Sequence, residues 1–160
     1  MRVRRGTSAE MLVLWNGRFE SFVEDHVSKI DRGVQEVWLL ENEEAAAGEP
    51  RLIGELHVLW DSDDKDCANG KDTAYLLAFR VDAAYQGRGL GTMLMKRVLG
   101  RVRERGFTRA TIGADDYDPK LRGMYERWGF TRFIKNDSFT YEYQGREITD
   151  TYALLANDRL

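Results

Sequence analysis

The chain has one cysteine, two prolines and two histidines in 160 residues. A lone thiol, Cys67, closes no internal disulfide, so a reducing, cytoplasmic setting is expected. Cys67 also stands in a polar stretch without a nearby histidine, which argues against a catalytic thiol. One cysteine and two scattered histidines make no metal set, so no metal is expected. There is no run of 18 apolar residues, and the N-terminus lacks the apolar core of a signal peptide; no membrane association is expected. Positive charge is not in surplus either: 24 Lys and Arg stand against 27 Asp and Glu. The resulting net charge of -3 argues against nucleic acid as a partner. The remainder is ordinary for a globular chain, with 42% hydrophobic and 32% charged residues. At this length it reads as one domain, 1–160, with a core of its own.

The stretch around which the rest is organised is Val81-Asp82-Ala83-Ala84-Tyr85-Gln86-Gly87-Arg88-Gly89-Leu90-Gly91-Thr92. An apolar run, 75–81, leads into it and a helical pattern, 92–105, leads out. A strand, a glycine-rich turn and a helix in that order present unpaired backbone N–H groups at the positive end of the helix dipole. Gly87, Gly89 and Gly91 remove the Cβ atoms that would hold an anion away from those donors. Arg88 adds a guanidinium able to grip phosphate with two bonds. The stretch reads as a pyrophosphate cradle. It is not a nucleotide P-loop, because no Lys follows Gly91. It is not a dinucleotide fingerprint, because G-x-G-x-G puts the third glycine out of place.

Periodicity outlines the other elements. Residues 2–5 alternate like an edge strand. Thr7 to Glu10 has capping-box spacing before a helix ending near Asn16-Gly17. Phe19, Phe22, Val23, His26, Val27 and Ile30 recur at helical spacing up to Gly33, and His26 on that stripe reads as a packed structural residue. Segments 34–40 and 52–60 form a hairpin, with Ile53, Glu55, His57 and Leu59 on one face. The acidic stretch 61–72 is expected to be a mobile loop. The nearly continuous apolar run 75–81 predicts a central strand covered on both faces. Helix 92–105 places Arg97, Arg101 and Arg105 in a row that reads as solvated. Strand 109–113 follows, connected as a crossover between parallel strands. Asp118 and Pro119 then start a helix that Gly129 ends. Three strands close the chain, at 130–134, 139–143 and 148–155.

Two motifs in this order resemble the GNAT family of N-acetyltransferases. Gln86, Gly89 and Gly91 match the Q-x-x-G-x-G of its acetyl-CoA loop. Some 30 residues on, Asp118-Pro119, Leu121 to Tyr125 and Trp128-Gly129-Phe130 match its second signature, a helix that carries a Tyr and closes on Gly-Phe. The resemblance covers almost the whole chain and is strongest from 75 to 130. It implies an α/β (α+β) fold: a mixed, mostly antiparallel central sheet flanked by helices, with a splayed parallel strand pair at the CoA site. It also implies acetyl-CoA as co-substrate. Gln86, Gly87, Arg88, Gly89, Leu90, Gly91 and Thr92 would then hold the diphosphate, and the backbone of Phe79 and Val81 would pair with the pantetheine arm. Tyr125 matches the family's proposed general acid. The sequence departs from the pattern where Asp118 replaces an Asn and Leu121 a small residue. Asp118 can still cap its helix on the cofactor side, without the amide donor.

Acetyl transfer to an amine needs a deprotonated nucleophile, a stabilised oxyanion and a proton for the leaving thiolate. A backbone N–H near Val81 is the expected oxyanion donor. Glu55, His57 and Asp115 are the candidate bases. With Asp116 and Asp118, Asp115 makes the acceptor side negative, which suits a small cationic amine. Two other readings stay open: a protein or peptide N-acetyltransferase, and a non-catalytic acyl-CoA binding module that would tolerate loss of Tyr125. Exposed terminal strands make a homodimer reasonable.

Overall fold

The computed structural model describes residues 1–17 and 22–160. Phe19, assigned above to an amphipathic helix, lies outside them. Local chemistry sets the first elements. After strand β1 (Arg2–Arg5), Thr7 Oγ1 accepts the Glu10 N–H at 3.2 Å and Glu10 Oε1 accepts the Thr7 N–H at 3.2 Å. That reciprocal cap opens helix α1 (Ser8–Trp15), and Asn16 ends it in the left-handed region at φ 39. Helix α2 (Val23–Asp31) precedes the hairpin of β2 (Gln35–Glu41) and β3 (Leu52–Leu59). Next come β4 (Thr73–Val81), the glycine loop and α3 (Leu90–Glu104). The chain closes with β5 (Arg109–Asp115), α4 (Pro119–Arg127), β6 (Arg132–Tyr143) and β7 (Arg146–Asn157).

Among the described residues the strands form one sheet in the order β1-β2-β3-β4-β5-β7-β6. The pair β4–β5 is parallel, and every other pairing is antiparallel. Leu94, Met95, Val98 and Val102 of α3 lie fully buried against Leu56, Val58, Leu76 and Ile112. Each such side chain contributes about 1.5–3 kcal/mol by leaving water. The basic row on α3 is not simply solvated. Arg97 stacks on Trp38 and Arg105 on Trp60, each 4.5 Å from the ring centroid, while Arg101 pairs with the buried carboxylate of Glu36 at 2.9 Å. The two indoles and Glu36 recruit the row because a buried anion needs a partner.

Three expectations are corrected. The strand leading into the loop is covered on both faces only at its start: Thr73, Ala74 and Leu76 are buried, Ala78 is exposed, and Phe79 to Val81 are half-buried. The segments expected as two strands around 130–143 are one, because Asn136-Asp137-Ser138 pairs with Ala153-Tyr152-Thr151 instead of turning. The 61–72 loop is anchored rather than free. Asn69 Oδ1 accepts the N–H groups of Lys71, Asp72 and Thr73 at 3.0 Å, and Thr111 Oγ1 donates to the Cys67 carbonyl at 2.7 Å. Lys135 of β6 reaches Asp64 at 2.7 Å and Asp66 at 3.2 Å, so part of its acidity is neutralised.

Candidate active site

The site begins at an irregularity in β4. Glu55 pairs with Arg80 and His57 with Leu77, so β4 carries one residue more than β3 over this interval. That bulge contains Ala78 at φ 55, a conformation in which an L side chain is strained. On the other side, β4 pairs with β5 only from Thr73↔Arg109 to Leu76↔Ile112. Beyond Leu76 the two parallel strands part, opening the edge of β4 from Leu77 to Val81.

Backbone alternation shows which groups face that edge. Arg80 pairs with Glu55, and the Asp82 N–H donates to the Ile53 carbonyl at 2.7 Å. Val81, between them, therefore turns its own N–H and carbonyl toward the opening. Its carbonyl accepts Gln86 Nε2 at 2.9 Å. Of the two Val81 backbone groups, the carbonyl is thus engaged by Gln86 and the N–H faces the opening. Gln86 itself spends its amide on the strand end instead of pointing it outward.

The glycine loop lies at the mouth of the opening. Gly87 (φ 79) and Gly89 (φ 76) are left-handed with no atom within 4 Å of a notional Cβ, so backbone conformation, not crowding, calls for glycine there. A Cβ on Gly91 would meet the Phe79 ring at 3.1 Å, so this glycine lets α3 close on β4. Gly89 caps α3 without a side-chain bond, and the N–H groups of Leu90, Gly91 and Thr92 fall in the first turn, where a helix has no internal acceptors for them. Arg88 is exposed and lies over the Tyr85 ring at 5.3 Å.

Tyr125 comes from α4, whose start is set by Asp118 accepting the Lys120 N–H at 3.2 Å and by Pro119. Gly129 (φ 97) turns the chain so that Phe130 packs on Tyr125. Only 4% of Tyr125 is exposed, with its ring edge-on to Phe79 at 6.4 Å, beside the parted strands. Burial first, then the nearby Asp115 carboxylate, pushes its phenol well above the usual tyrosine range. The group therefore stays protonated and can donate. Asp115, half-buried at the end of β5, also has its pKa raised, first by burial and then by Asp150, Asp116 and Asp118, while a bond from Tyr117 opposes the rise. Asp116 is exposed.

Glu55 and His57 sit deeper than a base exposed to substrate. Their exposures are 1% and 0%. The Glu55 carboxylate accepts Trp15 Nε1 at 2.8 and 3.1 Å and Arg80 at 2.7 Å, and lies 2.6 Å from His57 Nε2. Burial alone would raise its pKa, yet these donors outweigh it and hold the group below the usual range. His57 Nδ1 is 2.9 Å from Gln35 Nε2, which is 3.0 Å from His26 Nδ1. Trp15 stacks on His57 (5.8 Å between centroids) and meets Phe22 edge-on at 6.2 Å. Phe22 touches Phe139 at 5.6 Å and Tyr141 at 6.3 Å on β6. An aromatic wall thus spans from α2 to β6. Sequence reasoning missed Trp15, Arg80, Gln35 and this wall. The signal was Glu55-x-His57 on an inward face, since buried charge needs partners.

The chain and its fold have counterparts among known proteins. Residues 13–130 match the family model described as the acetyltransferase (GNAT) family. The chain belongs to the GNAT acetyltransferase family. Its whole fold resembles that of a GNAT acetyltransferase from Elizabethkingia anophelis with acetyl-CoA bound, at 17% identity and TM-score 0.67, covering 98% of this chain and 97% of that one. A ribosomal-protein-alanine N-acetyltransferase from Brucella melitensis is similar at 14% identity and TM-score 0.68, covering 98% of each chain. At such identities the likeness is one of fold. In sequence, the chain is 39% identical over 66 residues to the mycothiol acetyltransferase of Beutenbergia cavernae. That stretch is 41% of this GNAT chain and 21% of the longer relative. No group of three or more His, Cys, Asp or Glu suited to a metal occurs among the described residues, and none of their helices is long and apolar enough to cross a membrane.

Proposed function

We propose that this GNAT protein moves an acetyl group from acetyl-CoA to the primary amine of a small cationic molecule, by direct attack, with Tyr125 as the general acid. The observation that carries the reading is the parting of β4 from β5 between the glycine loop and Tyr125. An extended thioester arm laid there would meet phosphate donors at one end and a protonated phenol at the other. The Gln86 to Thr92 loop would take the diphosphate, with Phe79, Val81 and Asp118 along the arm. The Val81 N–H would receive the developing oxyanion. The amine nitrogen forms a bond to the acetyl carbon, the carbon–sulfur bond breaks, and the thiolate takes the Tyr125 proton. Before attack the substrate ammonium gives one proton to Asp115 or to water, the nitrogen loses a second to solvent as the amide forms, and Tyr125 is reprotonated from solvent. Asp115, Asp116 and Asp118 raise the local concentration of a cation.

Purified protein scored for CoA thiol release over a panel of amines tests the reading. Polyamines, aminoglycosides or lysine-like amines should react in preference to neutral or acidic amines; the reverse order sinks the cationic acceptor. Tyr125→Phe should lower kcat about 100-fold while acetyl-CoA affinity holds. Unchanged kcat would remove Tyr125 as the acid.

A further inference from the structure

The buried ionic cluster around Glu55 has geometry that the transfer chemistry above leaves unused. Arg80 is the residue of β4 that follows the bulge. One guanidinium nitrogen donates both to Glu55 Oε2 at 2.7 Å and to the Leu14 carbonyl at 3.2 Å. Leu14 lies in the last turn of α1, the negative end of the helix dipole, where a cation is favoured. The Trp15 indole N–H, from the same turn, spans both oxygens of the same carboxylate. One side chain on β3 therefore holds the end of α1 and the strained edge of β4 together. Trp15 then carries the contact on to Phe22, and Phe22 to Phe139 and Tyr141.

We propose that Glu55 is a positioning residue, which with Arg80 and Trp15 fixes the aromatic wall of the acceptor space at a set distance from the open edge of β4. The proposal rests on the transferase reading for its kinetic consequence, but not for its structural one. A carboxylate facing three donors at 3.1 Å or less has no free lone pair directed at a substrate proton. A charged group 1% exposed cannot be reached by an amine without opening that cluster. Glu55 instead acts through where α1 ends. Loss of its charge leaves Arg80 and Trp15 competing for a neutral amide, and the end of α1 is then free to shift relative to β4. Such a shift would misplace the acceptor and leave the diphosphate loop as it was.

Two variants and two measurements decide the point. Glu55→Gln keeps the shape and removes the charge; Trp15→Phe keeps an aromatic ring, though a smaller one, and removes the donor. Both should raise acceptor KM about 10-fold with kcat within about 3-fold and acetyl-CoA affinity unchanged. Amide hydrogen exchange should quicken in residues 8–15 and stay as in the wild type in 90–104. A roughly 100-fold fall in kcat for Glu55→Gln, with the acidic limb lost from the pH profile of kcat/KM, would make Glu55 the proton acceptor and overturn the proposal. Unaltered exchange in residues 8–15 would overturn it whether or not the protein transfers acetyl groups. Absence of acetyl-CoA binding by the wild type would instead sink the transferase reading and leave the exchange result to judge the clamp.

Discussion

Gln86 Nε2 donates to the Val81 carbonyl at 2.9 Å, so the residue that opens the glycine loop also caps the last carbonyl of the open strand edge. A side chain bonded back to the strand in this way holds the loop in the shape that, on the proposed reading, takes the diphosphate. Removing it would leave binding to bear the ordering of residues 86–89. One such hydrogen bond is worth about 1 kcal/mol, so Gln86→Ala should weaken acetyl-CoA binding about 5-fold. Titration calorimetry measures it, and an unchanged Kd would show that the contact does not order the loop.

Ala78 gives a second handle, because its strain is local and its side chain exposed. A β-branched residue fits the left-handed region poorly, whereas glycine enters it freely. Ala78→Val should lose about 2 kcal/mol of unfolding free energy, and Ala78→Gly should stay within about 1 kcal/mol of the wild type. Urea denaturation compares them. Equal stability of the Val variant would mean that the bulge is not held at positive φ in solution.

His26 predicts a pH dependence. Burial, then the neighbouring His57, lowers its pKa from 6.5 to about 4. The unfolded chain takes up a proton near 6.5 while the folded chain stays neutral at this residue until about 4. The stability tied to neutral His26 is therefore complete above 6.5, falls as pH drops through that window, and is constant below it. The full loss is at most about 3 kcal/mol. His26→Gln should flatten the window relative to the wild type in denaturation curves taken from pH 7 to 4. Parallel curves for the two proteins would contradict the assignment.

What the sequence carries plainly is what short range determines. The Thr7–Glu10 cap, the Asn16 stop, the Asp118-Pro119 start and the Gln86–Thr92 loop each depend on residues a few positions apart, and each is where spacing puts it. Hidden from it are pairings across the sheet. Arg80 meets Glu55 over 25 residues, Trp15 meets Glu55 over 40, and Lys135 meets Asp64 over 71. The extra residue in β4 is hidden too, since Leu77-Ala78-Phe79 is apolar on either register and only β3 opposite reveals the mismatch. That is why the sequence shows Glu55 on an inward face but not the Trp15, Arg80 and His57 contacts around its carboxylate. Asn136-Asp137-Ser138 misleads for the converse reason: its residues favour turns, yet β7 alongside supplies partners for a straight strand.

The early divergence of β4 and β5 has a mechanical meaning. Within the sheet, four residue pairs join β4 to β5, from Thr73↔Arg109 to Leu76↔Ile112. A long arm seated in the gap and bonded to both banks would work as a rivet across it. Occupancy would then stiffen the sheet, and the protein's rigidity would rise and fall with the concentration of whatever ligand fills the gap.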